Sequence, residues 1–138
     1  MSVRVNERSQ GDLQVLVKAK ELATHTIQIT NNEKYFPKRY RLSVVNKMQD
    51  KAFEIVTNLI EANEIYPKNT REYEYRRLLQ RKALASCRAL GTLIDISKEL
   101  FKLPSDKCEY WIKMVFEVRI MAVAWLNKDQ ENFKYLIK

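Results

Sequence analysis

Hydrophobic residues recur along the chain at intervals of three and four, in four long segments separated by short connections. This spacing places apolar side chains on one face of an α-helix. The connections contain Pro37, Pro67 and Pro104, and a proline disfavours helical geometry in the residue before it. We therefore predict helices at about residues 13–30, 39–65, 70–102 and 105–127, with Asp12, Thr70 and either Ser105 or Asp106 as N-caps.

The third predicted helix has an apolar face and a basic face. Its apolar side holds Tyr75, Leu79, Ala83, Ser86, Leu90, Leu93, Ile94, Ser97 and Phe101, the pattern of an amphipathic helix packed on a core. The opposite side begins with Arg77, Arg81 and Arg88. This arginine stripe is either a solvated surface or a place where an anion docks. Gly91 in the same helix is interpreted as a close helix crossing.

The fourth predicted helix is apolar on two sides. Trp111, Val115, Val118 and Trp125 lie on its core face, while a second side carries Ile112, Phe116, Ile120 and Val123. A contiguous apolar patch of this kind usually marks an interface. We predict that these four residues form an oligomer interface; the alternative is a helix buried unusually deeply in its own bundle.

Composition agrees with long helices and few turns. The chain has 138 residues, of which 46% are hydrophobic and 30% charged, and it holds only three prolines and two glycines. Four helices of comparable length with short connections favour an all-α fold, an up-down-up-down four-helix bundle. We assign the bundle to residues 12–127, a flexible N-terminal segment to residues 1–11 and a C-terminal tail to residues 128–138.

A formal net charge of +8 would attract nucleic acid or an anionic surface before any specific contact formed. Within the third helix, Glu72 is spaced to pair with Arg76, and Glu74 with Arg77. Arg81, Lys82 and Arg88 have no acid three or four residues away. We expect the start of the second helix to lie beside this region and to add Lys38, Arg39 and Arg41, which stand near aromatic residues.

Catalytic signatures are scarce. The single histidine, His25, is predicted to lie on the surface, and no ligand spacing around it suggests a metal site. Cys87 and Cys108 are interpreted as buried free thiols of a cytoplasmic protein. No apolar run approaches the ~20 residues that a bilayer requires, so no membrane partner is expected. We predict a non-enzymatic protein without cofactor.

Several stretches together resemble a bacterial family. They are the string from Tyr35 to Leu42 (YFPKRYRL), residues 60–63 (IEAN), the Arg77, Arg81, Ala83 and Leu90 series, and residues 124–127 (AWLN). In these stretches the chain is similar to the four-helix-bundle proteins that include the accessory variability determinant (Avd) of diversity-generating retroelements. Relatives encoded in intervening sequences of ribosomal RNA genes belong to the same family. The resemblance covers about residues 13 to 128.

This resemblance implies a homopentameric barrel that is basic and binds nucleic acid. In the retroelement branch it also implies a reverse transcriptase partner that copies a template RNA into cDNA. We therefore predict an accessory protein whose phosphate contacts come from Arg77, Arg81, Lys82, Arg88, Lys38, Arg39 and Arg41. The alternative is a structural or interaction bundle of the ribosomal intervening-sequence type, without a reverse transcriptase.

Overall fold

Four long helices make up most of the protein. A computed structural model describes the backbone of residues 10–137 and the side chains of residues 14–137. The helices are α1 (Gln10–Thr30), α2 (Asn46–Asn63), α3 (Thr70–Phe101) and α4 (Ser105–Asn132). The described part of the chain contains no β-strand. The predicted all-α fold with four helices is confirmed. Residues 1–9 of the predicted N-terminal segment lie outside the described residues, whereas Gln10 and Gly11 are helical, so α1 begins before the predicted cap Asp12.

Each helix packs on two neighbours, in the cyclic order α1, α2, α3, α4. The indole Nε1 of Trp111 on α4 donates to Thr26 Oγ1 on α1 at 3.0 Å. Ser86 Oγ on α3 donates to Glu54 Oε2 on α2 at 3.1 Å. Near the other end of the molecule, Arg76 at the start of α3 meets Asp129 at the end of α4. Successive helices are therefore antiparallel neighbours, as in an up-and-down bundle.

One apolar core runs along the bundle axis, and all four helices contribute to it. Its most enclosed members are three, four or seven residues apart on each helix, so that each helix buries a single stripe. Those without exposed surface are Val15, Leu22, Met48, Ile55, Leu59, Ala62, Ala83, Leu90, Ile94, Trp111, Val118 and Ala122.

Aromatic rings close one end of the bundle around the start of the second helical segment. Phe36 is buried, and its ring packs edge-on against Phe101 and Trp111. The chain then forms a 3₁₀ turn at Lys38–Tyr40 and a wider π-type turn at Arg41–Val45 before α2 begins at Asn46. The regular helix thus starts later than predicted.

The boundaries of α3 differ slightly from the prediction. Its N-cap is Asn69, whose Oδ1 accepts the backbone N–H of Glu72 at 2.9 Å, and Thr70 is the first helical residue. The Thr70 hydroxyl instead donates to the backbone carbonyl of Leu136. At the other end Lys102 adopts a left-handed conformation with φ of 55°, which terminates the helix ahead of Pro104.

The C-terminal residues belong to the bundle. α4 continues five residues past its predicted end, and a 3₁₀ turn follows at Lys134–Leu136. Phe133 is buried, with its ring against those of Tyr66 and Tyr73. The region assigned to a tail therefore packs on the α2–α3 connection and on α3, because Asp129 and Phe133 both have partners there.

Two further predictions about α3 were wrong. Tyr75, placed on the core face, is exposed, because the buried stripe in this part of α3 passes through Tyr73, Arg76 and Leu79. Gly91 does not mark a close crossing, since a Cβ built on it would meet no atom within 4 Å. In the second helical segment, Leu42, Phe53 and Ile60 are apolar and exposed.

Candidate nucleic-acid interface

Three arginines form a stripe along α3 on the side that leans toward α4. Arg81 and Arg88 are exposed and Arg77 is half-buried. Arg81 and Arg88 are seven positions apart, or about 10 Å along the helix axis, and project in nearly the same direction. Within residues 14–137 neither of these two side chains forms an ion pair or a hydrogen bond. Both guanidinium groups are available to an external anion.

Arg77 and Lys82 differ from the other two predicted cations. Arg77 Nη1 donates to the Tyr73 hydroxyl at 3.4 Å, and Arg77 forms no ion pair with Glu74 or any other described residue. Lys82 is exposed but follows Arg81 by one residue, which turns it by about 100° around the helix. Lys82 therefore lies on the α2 side of α3, away from the arginine stripe.

The predicted ion pair between Glu72 and Arg76 is not formed. Glu72 Oε1 accepts the backbone N–H of Lys68 at 2.8 Å and so braces the turn before α3. Arg76 points inward instead and is only 1% exposed. The buried stripe of α3 passes through Arg76, so its guanidinium cannot reach the solvated position of Glu72.

Arg76 is the centre of a buried polar cluster. Its Nε and Nη2 donate to the two carboxylate oxygens of Asp129 at 2.6 and 2.9 Å, and its Nη1 donates to the Ile65 carbonyl at 2.8 Å. Gln80 Nε2 adds a third hydrogen bond to Asp129 at 2.8 Å. The guanidinium also lies 4.9 Å from the ring centroid of Trp125. This cluster ties α4 and the α2–α3 connection to α3.

Sequence reasoning missed this cluster because Asp129 lies just beyond the predicted end of the fourth helix. A signal was nevertheless present in the spacing. Asp129 follows Trp125 by four residues and so continues the buried stripe of Trp111, Val118 and Trp125. A carboxylate on a core stripe requires a buried cation or several donors.

The second predicted basic group lies at the end of the bundle, apart from the arginine stripe. Tyr40 packs edge-on against Phe101 at 4.8 Å between ring centroids, which places residues 38–41 beside the end of α3. Arg88 is thirteen positions earlier, or about 20 Å away along the helix axis. The expectation that the two groups are adjacent was wrong, because the antiparallel packing of α2 carries its first turn away from the middle of α3.

Cations in this bundle-end group have different surroundings. Arg39 and Lys38 are exposed, and the Arg39 guanidinium lies 5.1 Å from the ring centroid of Tyr40. Arg41 forms a solvent-exposed ion pair with Glu33 at 3.7 Å. An exposed pair of this kind contributes little and can be exchanged for a phosphate. Lys38 and Arg39 are therefore the freer members of the group.

Residues of the predicted oligomer interface lie next to the arginine stripe. Phe116, Ile120 and Val123 are exposed on α4, and Ile112 is half-buried. A shallow groove of about 260 Å³ separates the helices and is lined by both groups. Its lining residues include Arg88, Gly91, Asp95, Ile112, Phe116 and Arg119. The structure thus brings Ile112 and Phe116 of α4 beside Arg88 of α3, with the acid Asp95 in the same groove.

The side chains with catalytic potential are buried or half-buried: Cys87 and Cys108 are buried, and His25 is half-buried. Burial raises the pKa of the Cys87 thiol to about 12 and also raises the pKa of Cys108. His25 is half-buried and not on the open surface as predicted, with its ring edge-on to Tyr110 and Trp111. The described residues contain no group of three or more side chains suited to hold a metal ion.

Comparisons with known protein families, with curated proteins and with solved structures gave no match for this chain. Among the described helices, none is both long enough and apolar enough to cross a bilayer. The basic and apolar faces are therefore interpreted from their own geometry and charge.

Proposed function

We propose that this protein is a non-enzymatic accessory protein that binds nucleic acid and associates with further copies of itself. The observation that carries the proposal is the pair of exposed guanidinium groups at Arg81 and Arg88, which have no acidic partner within residues 14–137. Unpaired arginines suit phosphate oxygens, which they bind through charge-assisted and often bidentate hydrogen bonds. Binding of this kind depends on charge and not on base sequence.

Cations at the bundle end extend the same proposal. Lys38 and Arg39 are exposed beside the ring of Tyr40, so phosphate contact and base stacking are both within reach of one segment. Arg77, Lys82 and Arg41 complete the proposed set, with Lys82 reached from the α2 side. The arginine stripe and the bundle-end cations are separate. One bound strand would therefore contact both either by crossing the surface between them or by contacting one group on one copy of the protein and the other group on a second copy.

A reverse transcriptase is the proposed protein partner, and RNA or its cDNA copy is the proposed ligand. This part rests on the resemblance of residues 35–42, 60–63 and 124–127 to the retroelement accessory proteins. The cytoplasm is the proposed compartment. The second candidate is an interaction bundle of the intervening-sequence type, which the apolar residues on α4 favour because they need no nucleic acid. A neighbouring reverse transcriptase gene with a template and variable repeat pair would support the first candidate.

The experiment compares two double variants with equal change in charge. Arg81→Glu with Arg88→Glu reverses the stripe, whereas Lys20→Glu with Lys113→Glu reverses exposed lysines on the α1–α4 side of the bundle. Affinity for a labelled single-stranded RNA is measured over a range of salt concentrations. We expect the stripe variant to bind more weakly, and its salt slope to fall by about 0.7 for each phosphate that it no longer neutralises.

Equal reductions in affinity in the two variants would show that only net charge matters, and an unchanged affinity and slope in a folded stripe variant would remove the arginines from the proposed site. A third variant, Lys38→Glu with Arg39→Glu, applies the same measurement to the bundle-end group. Circular dichroism and the unfolding midpoint of each variant verify that the fold is intact.

A further inference from the structure

Arg119 is a cation of α4 to which no role has been assigned so far. It is half-buried, and its side chain forms no ion pair or hydrogen bond within residues 14–137. Its positive charge offsets part of the burial effect that raises the pKa of the Cys87 thiol on α3. The guanidinium of Arg119 therefore lies within electrostatic range of Cys87, on the side of α4 that faces α3.

Arg88 and Arg119 line the same groove from two different helices. The contact between Arg76 and Asp129 fixes the relative height of these antiparallel helices. Because each helix rises by about 1.5 Å per residue, equal steps from that contact bring Arg119 level with Ser86, about 3 Å along the axis from Arg88. Neither arginine has an acidic partner among the described residues. Two guanidinium groups at nearly one height can hold a single phosphate through charge-assisted hydrogen bonds.

The ring of Phe116 forms one wall of this groove. It is 52% exposed, and the same equal steps place it level with Ala89, one position from Arg88. A nucleobase has an apolar face that stacks on an aromatic side chain whatever the identity of the base. A phosphate at the two arginines and a base at Phe116 therefore suit one and the same ligand.

Gly91 keeps the space between the two helices open. A Cβ built on Gly91 would meet no atom within 4 Å, although this residue lines the groove. Val115, which is buried, and Ile112, which is half-buried, supply apolar lining from α4. The groove holds about 260 Å³, slightly less than the ~300–1,000 Å³ of common small-molecule sites. This space suits one nucleotide at an open surface and not a longer stacked segment.

Asp95 gives the groove a direction. Among the described residues that line the groove, it alone is acidic. It follows Arg88 by seven positions, or about 10 Å along the axis, which is also about the screening length in physiological salt. Its charge therefore leaves the arginine end attractive to a phosphate and repels one from its own end. A carboxylate only accepts hydrogen bonds, so Asp95 suits a ribose hydroxyl or a base amino group.

We propose that the groove between α3 and α4 binds one nucleotide, with its phosphate between Arg88 and Arg119 and its base on the ring of Phe116. The ligand class is a nucleoside monophosphate, either as one unit of a bound strand or as a free nucleotide. This inference rests on the nucleic-acid binding in the proposed function. It adds Arg119, Phe116 and the open space at Gly91 to the arginine stripe.

The first experiment fills the groove without changing its charge. Adenosine monophosphate (AMP) is titrated into the protein and the heat of binding is measured. The unmodified protein should bind one AMP per chain, and Gly91→Leu should lose this binding because the added side chain occupies the groove. Ala124→Leu, which adds similar bulk at an exposed position of α4 outside the groove, is the matched control and should bind AMP normally.

The second experiment tests the two recognition elements separately. Arg119→Gln should weaken AMP binding by about tenfold or more, because a hydrogen-bonded cation is lost from the phosphate. Lys113→Gln removes an equal charge on the α1 side of α4 and should have a much smaller effect. Phe116→Leu should weaken binding by about fivefold or more through lost stacking. Adenosine, which lacks the phosphate, should bind more weakly than AMP to the unmodified protein and equally weakly to the Arg119→Gln variant.

Competition with a labelled single-stranded RNA distinguishes the two sources of the nucleotide. If the groove holds one unit of a strand, AMP should lower the RNA affinity, and Gly91→Leu should weaken RNA binding although its charge is unchanged. If the groove holds a free nucleotide, AMP and RNA should bind together, and Gly91→Leu should change only the affinity for AMP. Both results support the nucleotide site and assign its source.

Three results would overturn the proposal: an unmodified protein that binds no AMP, a folded Gly91→Leu variant that binds AMP normally, or equal effects of Arg119→Gln and Lys113→Gln. Phe116 was also predicted to lie in an oligomer interface, so light scattering is recorded for every sample. A loss of AMP binding that follows a change in oligomer mass would assign the effect to assembly and would likewise overturn the site. Circular dichroism verifies the fold of each variant.

Failure of this site and failure of the proposed function are separable. A protein that binds RNA through Arg81 and Arg88 but binds no AMP contradicts only the nucleotide groove. A protein that binds AMP in a manner sensitive to Gly91→Leu and Arg119→Gln but binds no RNA contradicts only the proposed function.

Discussion

Arg76 and Arg81 lie five positions apart on one helix, and their surroundings have almost nothing in common. Arg76 is enclosed, with both carboxylate oxygens of Asp129 and the Ile65 carbonyl as acceptors and Trp125 against its guanidinium. Arg81 is exposed and has no partner within residues 14–137. Five positions turn the helix by about 140°, which is enough to separate the core from solvent.

The contrast indicates different roles for the two arginines. A buried arginine whose donors are occupied by the fold holds the fold together, since any other ligand would first have to displace Asp129. An exposed arginine without a partner contributes little to stability and is free to meet a phosphate. Burial and partners, and not the residue type, therefore separate scaffold from candidate interface.

The largest expected effect is at the buried cluster. Arg76→Met should lower the free energy of unfolding by about 3–5 kcal/mol, because it leaves the Asp129 carboxylate buried without its cation. Urea unfolding followed by circular dichroism measures the decrease. The double variant Arg76→Met with Asp129→Leu, which removes both charges, should recover a large part of it; a double variant no more stable than the single one would contradict this account.

A smaller, pH-dependent effect is expected at His25, a half-buried group whose Nε2 has no hydrogen-bond partner among the described residues. Burial, helped by the charge of Lys107, lowers the pKa of His25 from its ordinary 6.5. The unfolded chain therefore takes up a proton at higher pH than the folded protein does. Stability should be greatest above pH 6.5 and fall as the pH decreases from there toward the lowered pKa.

The matched control for His25 is His25→Gln, which keeps a polar side chain but does not titrate. The difference in unfolding free energy between the two proteins should shrink or change sign as the pH falls. Parallel pH profiles would show that His25 does not titrate differently in the folded protein.

Beside the arginine stripe, the packing is open enough to accept an added methyl group. Gly91→Ala should raise the free energy of unfolding by about 0.5–1 kcal/mol, since alanine loses less backbone entropy in a helix and its Cβ would meet no neighbour. Thermal or urea unfolding measures the increase. Ala124→Gly, at an exposed position of α4, is the reciprocal control and should be destabilised by a similar amount. If Gly91→Ala instead lowered the free energy of unfolding, a Cβ at position 91 would have to collide with neighbours, and the groove between α3 and α4 would be narrower than described.

The smallest effect on monomer stability is expected at the stripe itself. Arg81→Ala with Arg88→Ala should change the free energy of unfolding of the dilute protein by no more than about 0.5 kcal/mol for each substitution. RNA affinity should fall. If the free energy of unfolding of this double variant fell as far as that of the Arg76→Met variant, the stripe would be part of the scaffold, like Arg76.

Much of the fold could be predicted from spacing alone. The four helices follow from apolar residues at intervals of three and four, because a helix buries whichever stripe is continuous. Spacing left open whether the second apolar side of α4 is exposed or buried, and the structure exposes Phe116, Ile120 and Val123. Boundaries were harder to predict. Asn69 and not Thr70 caps α3, and α4 extends to Asn132, since each end depends on side chains that other segments supply.

The candidate site was predicted less completely. Local spacing identified Arg81 and Arg88 as cations without an intrahelical partner, and the structure leaves both exposed. It could not show that Arg76 prefers Asp129, a residue 53 positions away, to Glu72. Nor could it show that Lys38 and Arg39 lie at a different height from the stripe, because that depends on how α2 and α3 are aligned.

The sequence by itself determined that the chain is helical and basic, and that its fourth helix is apolar on two sides. These properties depend on residue type and short-range periodicity, which act within a single helix. The tertiary structure decided which arginine is buried, which is free, and which charges share a face. Those outcomes depend on the relative height and rotation of packed helices, which are set by contacts such as Arg76 with Asp129 and Ser86 with Glu54.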